Sequence, residues 1–144
     1  SVATKVISFA VLVAILLVSF PTAAAAKTGN QGLEKKWARL VDRYDRQSIT
    51  HNTSRRWVDL WINANRKAPH SKKAELLSDL AMSDAAWASA TIVAMQHRGF
   101  DANGKVVDKA AAQQSLKDLA GALQHYAVAI KNLKAHLRQF NKEG

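Results

Sequence analysis

The sequence predicts an all-α fold, an antiparallel helical bundle of four helices, two long and two short, preceded by an N-terminal hydrophobic export segment. Three observations carry this reading. An apolar stripe at helical spacing begins at Leu33, a heptad pattern without a fault fills residues 116–140, and capping or stop residues punctuate the stretches between.

Residues 1–26 come first. Lys5 gives a positive start, residues 6–20 are uncharged and almost wholly apolar, Pro21 breaks the run, and small residues follow up to Lys27. Charge, apolar stretch and an A-x-A site, in that order, make the layout of a secretory signal, with Ala24 and Ala26 as the small residues of the cleavage site. The alternative is an uncleaved membrane anchor. Residues 6–26 would extend roughly 31 Å as a helix, just enough to span a bilayer. Bases after the segment outnumber Lys5, so the positive-inside bias would then place the C-terminal side in the cytoplasm. The apolar core ends at Phe20 and four alanines hold a bilayer poorly, which favours cleavage. The expected location is secreted or periplasmic, and membrane-anchored if the segment is kept.

Residues 27–32 read as a polar, Gly-bearing linker to one basic helical domain over residues 33–144. Leu33, Trp37, Leu40, Val41 and Tyr44 make the apolar stripe of a first helix. Residues 48–54 (SITHNTS) are rich in side chains that bond their own backbone and predict a break, after which Ser54 caps a short second helix bearing Trp57, Val58, Leu60 and Trp61. Pro69 stops that helix. Ser71 is the expected cap of a long third helix to about residue 98, with Leu77, Ala81, Ala85, Ala88, Ile92 and Met95 toward the core and Leu76, Leu80 and Trp87 flanking them. Ser83-Asp84 would make five helices if it interrupts the third. Gly99 is a helix stop, with Phe100 packing back on Met95.

The last helix, capped by Asp108, is the most regular. Leu116, Leu119, Leu123, Tyr126, Ile130, Leu133, Leu137 and Phe140 hold the a and d positions, with Ala120, Ala122, Ala127 and Ala129 beside them. A two-stranded coiled coil would want charges at those flanks, so small residues there predict a helix buried among two or more neighbours.

Composition narrows function. Cysteine is absent, which excludes disulfides, thiolate catalysis, cysteine zinc sites, iron–sulfur clusters and lipid anchoring through cysteine. Beyond residue 26 the chain carries 20 Lys and Arg against 11 Asp and Glu, net +9. The excess is lopsided: +8 over residues 27–73 and +1 over residues 74–144. Such asymmetry predicts a protein partner with acidic groups or an anionic surface, membrane or polysaccharide, with nucleic acid the least favoured. The bases are interspersed with Asp42, Asp45 and Asp59 and form no solid block.

Catalytic signatures are missing. The five histidines show neither Glu-x-x-His nor His-Glu-x-x-His spacing, and a meeting of His97 with His125 across the hairpin would be accidental. Asp101-Ala102-Asn103-Gly104 resembles the start of a calcium loop, but the glycine comes too early and no Glu closes it, so it reads as a turn. Neither a nucleophile elbow nor a phosphate loop occurs. The expectation is a non-enzymatic, effector-like binding protein with no catalytic, cofactor or metal residues; a single-pass accessory subunit and a helical ligand carrier are the alternatives. Arg55, Arg56, Trp57, Trp61, Arg66 and Lys67 form the candidate binding surface, an aromatic pair beside four bases, though core filling is the simpler role for the tryptophans. Asn52-Thr53-Ser54 is a glycosylation sequon.

Overall fold

The computed structural model describes residues 28–143; the expected export segment 1–26, with Ala24 and Ala26, lies outside them. Three helices make up the described residues: α1 (Thr28–Ala64), α2 (His70–Gln96) and α3 (Lys109–Glu143). Lys72 pairs with Glu143 and Ser115 donates to the Arg98 carbonyl, so α2 and α3 run antiparallel. Tyr44 meets Thr91 and Arg55 meets Asp84, which sets α1 antiparallel to α2 and parallel to α3. The result is an up-down-up bundle in which α2 and α3 form the most extensive pair and α1 lies across both.

Among the described residues the expected four or five helices are three. No break occurs at residues 48–54: the hydroxyls there bond backward within the helix instead of outside it. Ser48 Oγ donates to the Asp45 carbonyl, Thr53 to Ile49 and Ser54 to His51. Ser54 is thus a wholly buried mid-helix residue rather than a cap. Hydroxyls that satisfy carbonyls three or four residues back remove the competition that made this stretch look like a loop. Residues 28–32, read as linker, form the first turn of α1. Ser83 likewise bonds back to the Leu80 carbonyl at 2.7 Å, fully buried, and α2 runs through it unbroken. That helix starts at His70 behind Pro69, not at Ser71, and has no side-chain cap.

The core face of α2 also differs from the expected one. Leu76, Asp79, Leu80, Ser83, Trp87 and Ala90 are buried, while Leu77, Ala81, Ala85, Ala88, Ile92 and Met95 are exposed or nearly so. The inward face is decided by Trp87. Its ring stacks on Tyr44 at 4.4 Å and on His51 at 5.0 Å and tilts against Tyr126 at 5.2 Å. One large aromatic in three-way contact outweighs several aliphatics of ordinary size, because area buried and ring geometry both favour it.

Aromatic groups run the length of the core. Trp37 stacks on Phe100 at 4.7 Å at one end, the Trp87 group fills the middle, and Trp61 meets Phe140 at 5.7 Å at the other end. The heptad positions of α3 are buried as expected, Leu137 only partly. Small flanks let this helix contact both neighbours closely.

The α2–α3 connection departs from a simple stop. α2 ends at Gln96, ahead of Gly99, and Phe100 packs on Trp37 rather than on Met95, which is exposed. Gly99 has φ 97°, and a Cβ there would sit 2.1 Å from the Ala112 backbone nitrogen. Asp101 accepts from the Asn103 and Lys105 amides, Gly104 takes φ 78°, and Phe100 bridges to Val106, so residues 101–104 are a turn. Asp108 caps α3 by accepting from the Ala111 amide at 3.1 Å.

Candidate functional site

Helical period lines up a polar and aromatic stripe of α1 with three cations of α3 along one seam. On α1, Arg43, Gln47, Thr50 and Trp57 face α3, at spacings of four, three and seven. Arg43 reaches Gln124 at 3.5 Å and the Trp57 ring lies under the Lys134 ammonium at 5.5 Å. On α3, Lys131, Lys134 and Arg138 follow one another at three and four residues and form a matching stripe. Between them is an open groove of about 350 Å³, lined by Gln47, Thr50, Tyr126, Ala127, Ile130, Lys131, Lys134 and Arg138.

The small Ala127 side chain makes the seam concave, and Ile130 gives it an apolar floor. No carboxylate lines it, and Lys131 and Arg138 enter no ion pair among the described residues. The Tyr126 hydroxyl and the Gln47 side-chain oxygen Oε1 are buried, with no hydrogen-bond partner among the described residues. Burial, with the charge of Asp84 adding to it, pushes the Tyr126 hydroxyl well above the usual phenol range, so it stays protonated beneath the groove. Three cations around a partly apolar floor favour an anionic group that also brings some apolar surface.

A second cleft of about 570 Å³ opens at the α1–α2 turn, where Trp61, Arg66, Lys67, Lys72 and Phe140 are among its walls. The six residues expected to form one surface are distributed over the bundle. Trp61, Arg66 and Lys67 meet in this second cleft, with the Trp61 ring itself buried in the core. Trp57 is half-buried on the α3 side, Arg55 is held by Asp84 at 3.3 Å on the α2 side, and Arg56 is exposed. Lys72 is neutralised by Glu143, and Lys73 is drawn to the Arg66 carbonyl at 2.7 Å. The second cleft therefore contains an acid beside its bases, which the groove does not.

Sequence reasoning missed the groove because Lys131, Lys134 and Arg138 sit in the half of the chain with little net charge. Their spacing of three and four beside Ala127 was the available signal. Two other polar clusters were missed as well. Glu34, almost fully buried, accepts from the Val106 amide at 2.8 Å and lies 3.6 Å from Lys105, tying α1 to the α2–α3 connection. His136 bridges α3 to α2 through Glu75 at 2.9 Å and Asp79 at 2.5 Å, and the Asp79 hydrogen bond raises its pKa.

Among the described residues no group of three His, Asp or Glu side chains is placed to hold a metal ion. His97 lies against Trp37 and Phe100, and His125 lines a groove on the outer side of α2 and α3. No described helix is long and apolar enough to cross a membrane. Comparison with known proteins found no matching family model, no matching curated protein and no matching solved structure.

Proposed function

We propose that this chain is an exported, non-enzymatic binding module that holds an acidic protein segment in the groove between α1 and α3. The observation that carries the reading is the groove itself, lined by Lys131, Lys134 and Arg138 and by no carboxylate. Its concavity favours a protruding segment over a flat membrane, and its Gln47 and Thr50 side chains offer hydrogen bonds beside the charges. The net charge of +9 beyond residue 26 steers anionic partners toward the chain, and α3, which supplies the groove's cations, carries six bases against two acids. Export rests on the order of charge, apolar run and small residues in 1–26, and it implies a mature chain beginning at Lys27.

Retention on immobilised poly-glutamate at rising salt tests the binding. Retention should fall steadily with salt, and Lys131→Gln, Lys134→Gln and Arg138→Gln together should weaken it by about tenfold or more, since each charge-assisted contact is worth roughly 1 kcal/mol. Binding that ignores salt, or a triple variant that binds like the parent, overturns the reading. Stronger retention on heparin or anionic liposomes than on poly-glutamate would replace the acidic segment by a polysaccharide or membrane.

A further inference from the structure

The opposite side of the bundle is built differently. Residues 74–97 contain no Lys or Arg, and their three acids are engaged within the bundle: Glu75 and Asp79 with His136, Asp84 with Arg55 and His51. What remains outward is largely apolar, with Ser78, Ser89 and Gln96 as the uncharged polar exceptions. Leu77, Met82, Ile92 and Met95 are 45%, 59%, 56% and 57% exposed, with Ala81, Ala85 and Ala88 also exposed between them. A groove of about 530 Å³ runs beside them, between Met82, Ala85 and Ser89 of α2 and His125, Val128 and Asn132 of α3.

We propose that this face is a homodimer interface in which a second copy of the chain packs its α2 antiparallel against the first. Spacing, charge and area each point to a second copy. The face is self-complementary under reversal about a point between Ala86 and Trp87. Ala85 then falls opposite Ala88, while Leu77 comes within one residue of facing Met95 and Met82 within one residue of facing Ile92, an axial offset of about 1.5 Å, so bulky side chains lie toward the ends and small ones at the middle. This is what a two-fold, isologous contact requires, with residue i meeting j and j meeting i.

Charge removes the other self-contacts. α1 and α3 each carry a net positive charge and repel their own copies, whereas residues 74–97 of the α2 face bring no Lys or Arg against another. Area sets the strength. From Leu77 to Met95 the face is about 27 Å long, and two helices about 9 Å apart make it about 18 Å wide, so each copy would bury about 500 Å². The total of about 1,000 Å² is near the lower bound for a specific interface, which makes the dimer weak and reversible.

Because the chain lacks cysteine, single cysteines report the geometry directly. Full-length chains carrying Ala85→Cys, Leu77→Cys or Met95→Cys are equilibrated in a glutathione redox buffer, with Arg39→Cys on α1 as control. Ala85→Cys sits close enough to its own copy for a disulfide and should cross-link about tenfold faster than Leu77→Cys, whose copy lies about 28 Å away along the helix. Leu77→Cys mixed with Met95→Cys should give the heterodimer readily. Adding Ile92→Lys to Ala85→Cys should abolish cross-linking while circular dichroism stays unchanged, because position 92 is exposed. Equal rates at positions 39, 77 and 85 would mean unordered association, through residues 6–20 or otherwise, and overturn the proposal. So would an absence of cross-linking at Ala85→Cys, or its persistence with Ile92→Lys.

Discussion

Replacing Leu80 and Leu77 separately by Ala tests which face of α2 is inside. The two residues are three apart, equally apolar and equally suited to a helix, so helical propensity favours Ala at both and cancels. Leu80 is 1% exposed and packed in the core, whereas Leu77 keeps 45% of its surface in solvent. Truncating Leu80 loses the transfer free energy of its deleted carbons and leaves a cavity in the core. The expected cost is about 3–4 kcal/mol, or a fall in Tm of more than about 10 °C for a domain of this size. Truncating Leu77 loses about half of a transfer contribution of roughly 2 kcal/mol and leaves no cavity, because solvent fills the space, so it should cost about 1 kcal/mol. Urea unfolding followed by far-ultraviolet circular dichroism at low micromolar concentration, where a weak dimer dissociates, reads both values with a common m-value. Equal costs, or a larger cost at Leu77, would mean that the Leu77, Ala85, Ile92 and Met95 stripe faces the core. That result would refute both the fold description and the dimer face derived from it.

Two further outcomes follow from the buried polar links. Glu34→Ala leaves the Val106 amide without its acceptor and should destabilise the chain by about 1–3 kcal/mol, with amide exchange at Val106 speeding up before that of the α3 core. His136 has its pKa raised by the Asp79 hydrogen bond, helped by Glu75, while its ring stacks on Phe140. Its stabilisation is therefore full below the unfolded value near 6.5 and is lost as pH rises through the higher folded value. His136→Gln should accordingly cost most around pH 5–6 and least above pH 8 in parallel urea titrations; a cost that grew with pH would reverse the sign of the link. His51 and His97 work in the opposite sense, since burial lowers both, so the variant must be compared with the parent at each pH.

Local pattern was enough for some of this structure. The helical class, the turn at residues 101–104, the Asp108 cap and the inward face of α3 all follow from short-range chemistry. Each is set by residues within a turn or two of one another, and α3 repeats its apolar spacing so regularly that only one face can be buried. The lopsided charge was equally visible, because composition needs no fold.

Elsewhere only tertiary contact decided. Residues 48–54 carry loop-forming side chains, yet they stay helical because Ser48 and Ser54 are buried and can bond backward onto their own helix. α2 offers two apolar faces of similar quality, and the choice fell to Trp87, whose partners Tyr44, His51 and Tyr126 come from two other helices. The groove needed cations from the weakly charged half of the chain to lie beside α1, and helical period turned Arg55, Arg56, Trp57 and Trp61 to different sides of one helix while Arg66 and Lys67 fell in the turn after it. A sequence fixes the period of a helix and the charges it bears. Which side of that helix is inside, and which charges become neighbours, depends on how the other helices compete for the same apolar surface.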